Sequence, residues 1–146
     1  MEHINEAILS AWLRLNRVIC NERIVSDLPL NESMLCNSIY RSLRENPHRP
    51  ITATWLCHEL KMQKSLMNRT LTSLEEKGII RRERADDDKR NIYIHLNREH
   101  ADLYERQHQK ILQLVDTILD RLGNNKAEEV LTLFHLIADA ADEIIQ

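Results

Sequence analysis

The sequence predicts a mainly α-helical protein carrying one small β-hairpin. Three observations lead there. Apolar residues recur at helical spacing through most of the 146 positions. Strict alternation is confined to the stretch RRERADDDKRNIYIHL at 81–96, where Ile92, Ile94 and Leu96 would share one strand face and Asn91, Tyr93 and His95 the other. The only two glycines, Gly78 and Gly123, each follow a helical pattern, where a left-handed residue closes a helix at least cost.

The elements follow in order. Ile4, Ile8, Ala11, Leu15 and Val18, widened by Ala7, Trp12 and Ile19, make the stripe of an amphipathic first helix ending near Asn21. After the looser NERIVSDLP, Asn31 is placed to cap a second helix, with Leu30 and Leu35 forming a hydrophobic staple and Pro47 stopping the helix after Asn46. Ile51 and Thr52 repeat the start signal: Thr52 caps a short helix running to about Lys61, and Ile51 packs on Leu56. A tight turn at 61–63 leads to a helix over 63–77 with Met67, Leu71 and Leu74 on one face and Gly78 at its end. Strands are expected at 78–84 and 90–96, with ADDDK as the turn between them, because Asp side chains hydrogen-bond nearby backbone groups. A long helix capped by Asn97 runs to Gly123 through Tyr104, His108, Ile111, Val115, Ile118 and Leu122. Asn125 and Glu128 resemble a capping box for a last helix striped by Val130, Phe134, Ile137, Ala141 and Ile144. The centre is therefore a helix-turn-helix followed by a hairpin.

Composition bounds the function. A chain that is 42% hydrophobic and 29% charged is ordinary for a soluble globular domain, and its apolar runs are too short to span a membrane. Glu2 and Glu6 stand where a signal peptide would be basic, so a cytoplasmic protein is expected. Cys20, Cys36 and Cys57 are odd in number and lack CxxC spacing, which argues for reduced thiols. The net charge of −3 conceals an uneven distribution: residues 1–60 sum to −1, residues 61–90 to +3 and residues 97–146 to −5. Binding to a polyanion depends on where the positive charge sits, and here it sits on the helix and hairpin.

The stretch LTSLEEKGIIRRERADDDKRNIYIHLN at 71–97 resembles the MarR family of winged helix-turn-helix transcription regulators, dimeric bacterial and archaeal proteins. It has a helix ending in Leu-Glu-x-x-Gly, a strand, an Asp-x-Arg wing and a closing strand, and the order of elements agrees over nearly the whole chain. The resemblance implies a single domain over 1–146, with a winged-helix DNA-binding lobe at 31–96 and a helical dimerisation region at 1–21 and 97–146. Asp88 and Arg90 fill the Asp-x-Arg positions, which implies that Arg90 approaches the minor groove while Asp88 helps to hold the wing arginine. Two departures stand out: His100 occupies a position where glycine is common, and Gln63 replaces the usual Ser, Thr or Asp at the start of the recognition helix.

If Met67, Leu71 and Leu74 face the core, Lys64, Ser65, Asn68, Arg69 and Thr72 point outward from the recognition helix. Arginine can fork onto guanine O6 and N7, and asparagine pairs with adenine N6 and N7, so Asn68 and Arg69 are the candidate base readers. Lys64, Ser65 and Thr72 suit phosphates. On the hairpin, Arg82 and Arg84 share a strand face and, with Lys89 and Arg90, form a candidate phosphate-facing surface. Any solvated surface helix or protected edge strand can carry such residues, so the coincidence of helix and wing matters more than either part.

The resemblance further implies a homodimer on a palindromic double-stranded operator, released by a small aromatic or anionic compound. Trp12, Asn16, Met34, Tyr40 and His108 are the candidate pocket residues, although aromatic and Met residues at helical spacing also suit a core. Two alternatives compete. One is a thiol-responsive regulator acting through Cys20, with Arg17 and Arg23 close in sequence but Ile19 beside it on an apolar edge that favours burial. The other is a winged-helix protein-interaction module without DNA binding, which the acidic ends would suit. No cofactor and no metal is expected, because the seven histidines form no HxxxH or HExxH pair, and no phosphate loop or nucleophile elbow suggests an enzyme.

Overall fold

The computed structural model describes residues 2–21, 28–86, 90–100, 102–123 and 125–145; Asp87, Asp88 and Lys89 lie outside them. Six helices and a hairpin follow in order: α1 (Glu2–Ile19), α2 (Leu30–Glu45), α3 (Ala53–Leu60), α4 (Lys64–Glu76), β1 (Ile80–Arg84), β2 (Ile92–Leu96), α5 (Asp102–Leu122) and α6 (Ala127–Ile145). This is the mainly helical architecture with a two-stranded wing that the sequence predicts. It falls into two compact units, Met1–Gln109 and Lys110–Gln146.

Local chemistry explains most of the boundaries. Thr52 caps α3, its Oγ1 accepting the Trp55 N–H at 3.1 Å, and Ile51 and Leu56 both enter the core. Lys61 ends α3 in the left-handed region, with φ 49°, so the turn into α4 is tight. Gly78 closes α4 with φ +75°: the Gly78 N–H donates to the Glu75 carbonyl at 2.9 Å and the Ile79 N–H to the Leu74 carbonyl at 3.0 Å. Those two bonds define a Schellman termination and turn the chain back toward β1.

Three starts differ from expectation. Helix α2 begins at Leu30 after Pro29, so Asn31 lies in its first turn rather than capping it. Leu30 stays exposed and forms no staple, while Leu28 is buried in its place. The reason is tertiary: Gln107 grips both backbone groups of Leu28, and the fixed φ of Pro29 then sets the helix direction. After β2 the chain makes a 3₁₀ turn, Arg98–His100, before α5 begins. Asn97 instead donates its backbone N–H to the Ile79 carbonyl at 2.8 Å, tying the end of the hairpin to its beginning. Helix α6 starts two residues after Asn125, its first bond running from the Val130 N–H to the Lys126 carbonyl at 2.9 Å.

The core of the first unit joins Leu35 and Ile39 of α2, Leu56 of α3, Met67, Leu71 and Leu74 of α4, Ile80 and Ile94 of the hairpin, and Tyr104 of α5. Strand β2 also pairs with the segment before α3, its Ile94 N–H donating to the Ile51 carbonyl at 2.8 Å. The helix-turn-helix and the hairpin are thus one packed body. The unit extends beyond Leu96 because Tyr104 and Gln107 of α5 are buried in it. Helix α6 has no buried residue, although Leu131, Phe134, Leu136 and Ile137 lie along it.

Candidate nucleic-acid interface

Helix α4 divides as its periodicity requires. Met67, Thr70, Leu71 and Leu74 are buried, and Lys64, Ser65, Asn68, Arg69 and Thr72 are exposed. Burial of the apolar face fixes the rotation of the helix, so the polar face points outward as a set. Two further contacts hold its C-terminal half. Glu32 of α2, only 4% exposed, accepts from Ser73 Oγ at 2.7 Å and from Lys77 Nζ at 2.8 and 3.0 Å.

The hairpin register decides which face its arginines occupy. Arg82 pairs with Ile94 and Arg84 with Ile92, while Arg81 pairs with His95 and Glu83 with Tyr93. Directly opposed residues share a sheet face, so Arg82 lies on the same face as the buried Ile80 and Ile94. It is not an outward arginine. Its Nη2 donates to Glu75 Oε1 and to Thr72 Oγ1, each at 3.2 Å, and its backbone N–H donates to Glu75 Oε2 at 2.8 Å. These bonds from Arg82 hold the Glu75 carboxyl below the usual carboxylate range. Thr72 and Arg82, both expected at DNA, are therefore joined to each other. Arg84, toward the wing tip, is exposed, as is Arg90. On the outer face Glu83 takes His95 Nε2 at 2.8 Å and Arg81 at 3.5 Å. Ala85 extends the pairing, its N–H donating to the Asn91 carbonyl at 3.0 Å.

The candidate pocket residues are only partly assembled. Tyr40 and His108 both flank Tyr104, with ring centroids 4.8 and 5.4 Å apart, and the Tyr104 hydroxyl lies 3.4 Å from Asn37 Oδ1 and from His108 Nδ1. Burial pushes the Tyr104 hydroxyl up to about 12, and it raises that of Tyr40 as well, reinforced by the Glu105 carboxylate. Trp12, Asn16 and Met34 are exposed. None of the five lines the cleft of about 290 Å³ formed by Arg41, Ser42, Glu45, Asn46, Arg49, Trp55 and Glu59, in which Arg49 sits 4.9 Å over the Trp55 ring. Cys20 is exposed at the end of α1, not buried as its apolar neighbour suggests, whereas Cys36 is buried. Among the described residues no three His, Cys, Asp or Glu side chains converge on a point that could hold a metal, and no helix is long and apolar enough to cross a membrane.

Sequence reasoning missed Glu32, Ser73, Glu75 and Lys77, the side chains that fix the helix and the wing. The local signs were the Leu-Glu-x-x-Gly pattern, in which Glu75 is the glutamate, and the seven-residue separation of Glu75 from Arg82 across a glycine turn.

A helix-turn-helix whose second helix shows a polar, basic face beside a β-hairpin defines the winged-helix class of nucleic-acid-binding domains. The model of the MarR family matches residues 41–91. Similar solved structures include the PcaV transcriptional regulator from Streptomyces coelicolor in complex with its natural ligand, at 18% identity over 97% of this chain and 91% of that one, with a TM-score of 0.68. FabT from Streptococcus pneumoniae in complex with DNA is 20% identical over 98% of this chain and 96% of that one, TM-score 0.65. A mutant MarR from E. coli complexed with operator DNA is 23% identical over 92% and 91%, TM-score 0.68. No curated protein matches the sequence. The fold, together with the matched segment, likens the chain to the MarR family of winged helix-turn-helix transcriptional regulators.

Proposed function

We propose that the protein is a homodimeric repressor that binds a palindromic operator and is released by a small aromatic or anionic ligand. Asn68 and Arg69 read base edges in the major groove, Lys64 and Ser65 grip phosphates, and Arg90 enters the neighbouring minor groove from the wing. The observation that carries this reading is the exposed set Lys64, Ser65, Asn68 and Arg69 on a helix whose other face is locked into the core. Dimerisation is supported by apolar side chains on α1 and α6, such as Ile8, Leu13, Leu131 and Phe134, each more than half exposed in the single chain. A ligand is supported by the relative PcaV, whose structure holds its natural ligand.

Selection from random duplexes tests the whole reading, with the recovered sequence titrated against salt. Two-fold symmetric sites are expected, with affinity falling steeply as salt rises. Arg90→Ala is expected to reduce the salt slope by about one, and Asn68→Ala or Arg69→Ala to relax preference at particular bases. Recovery of no duplex even at low salt would favour a protein-interaction module instead.

A further inference from the structure

Residues 75–82 link the two parts of the DNA-binding surface, and their geometry is more specific than a turn requires. Gly78 reverses the chain, but the angle at which the hairpin leaves α4 depends on soft backbone dihedrals near 77–79. Across that turn Glu75 and Arg82 close a ring. One carboxylate oxygen takes the Arg82 backbone N–H at 2.8 Å, and the other takes its guanidinium at 3.2 Å. The same guanidinium nitrogen reaches Thr72 Oγ1, one turn earlier on α4. Strand β1 is thereby fastened to the helix through both backbone and side chain. The arginine is also committed to the inward face, opposite Ile94.

We propose that Glu75 and Arg82 form a brace that sets the spacing between recognition helix and wing, and that Arg82 is a positioning residue and not a phosphate contact. This rests on the DNA-binding reading above. A protein that engages two adjacent grooves at once must hold its two reading elements at the separation of those grooves. A brace lowers the cost of ordering them on binding. Glu75 gives the inference its sharpest consequence. A carboxylate beside DNA repels phosphate, so by charge alone its removal should strengthen binding; as half of a brace, its removal should weaken it.

The experiment compares the full-length parent with Glu75→Gln, Arg82→Gln and the double variant on the duplex the parent selects, over a range of salt, with thermal melting in parallel. Each single variant is expected to lose about tenfold in affinity while keeping the parental salt slope. The double variant is expected to be no worse than either single, because both remove one device. Should Arg82→Gln not remain folded at the assay temperature, Arg82→Met replaces it: it keeps the aliphatic packing and removes the donor to Glu75 and Thr72, and loss of a brace leaves the salt slope at the parental value where loss of a phosphate contact lowers it by about one. Parental or tighter binding by Glu75→Gln, a slope reduced by about one in Arg82→Gln or Arg82→Met, or additive losses overturn the brace. A parent that binds no duplex overturns the DNA-binding reading and the brace's role with it; a parent that binds while Glu75→Gln binds equally well overturns the brace alone.

Discussion

Lys77, at the C-terminal end of α4, reaches across to Glu32 in the first turn of α2 and donates to both carboxylate oxygens, at 2.8 and 3.0 Å. Ser73 shares one of those oxygens. The carboxylate is almost fully buried, whereas the Lys77 side chain keeps a third of its surface in water, so the cost of breaking the pair depends on which partner is removed. Glu32→Ala leaves Lys77 free to rehydrate and should cost about 1–2 kcal/mol. Lys77→Ala strands a buried carboxylate with only Ser73 and should cost more. Urea denaturation of the two variants checks the order.

Gln107 holds α5 to the entrance of α2. Its side chain accepts the Leu28 N–H at 2.6 Å and donates to the Leu28 carbonyl at 2.7 Å and to Ser33 Oγ at 2.6 Å. Gln107→Leu preserves volume but leaves buried backbone groups unpaired, so a loss of about 2–3 kcal/mol is expected. Hydrogen exchange at the Leu28 amide should accelerate in the variant. Unchanged exchange would contradict the clamp.

The brace has a pH signature. Because Arg82 depresses the Glu75 carboxyl, the group's stabilising contribution is fully present above the ordinary carboxylate pKa. It is lost only as pH falls through the lower, folded-state value. An NMR titration of the Glu75 side-chain carbon should show a midpoint below the usual glutamate range, and Arg82→Gln should move that midpoint upward.

The three thiols should react in a fixed order. Cys20 is exposed and should be alkylated first. Cys57 is half-buried with its pKa raised by burial, and Cys36 is buried and pushed up to about 12 by burial and by Glu32. Mass spectrometry after brief iodoacetamide treatment should find Cys36 unmodified until the protein is unfolded. Oxidant-induced loss of DNA affinity that Cys20→Ser abolishes would favour the thiol-responsive alternative.

Helix α6 tests the dimer. Phe134 and Ile137 are 55% and 48% exposed in the single chain, a surface that stable monomers rarely leave uncovered. Ile137→Glu should shift the mass measured by light scattering from dimer toward monomer. An unchanged mass would place the subunit contact elsewhere.

Local signals determined much of this fold because their physics is local. Thr52 caps, Gly78 takes a positive φ and β2 alternates for reasons contained within a few residues, and the 3.6-residue period of α4 was enough to sort Met67, Leu71 and Leu74 from Asn68 and Arg69. What the chain order could not disclose depends on partners distant in sequence. Alternation along β1 put Arg82 and Arg84 on one face but could not say which face, because that is fixed by pairing with Ile94 and Ile92. Glu32 lies 45 residues from Lys77, and Gln107 lies 79 from Leu28. Read along the chain, such side chains resemble ordinary polar surface, and only packing removes the water that would otherwise satisfy them.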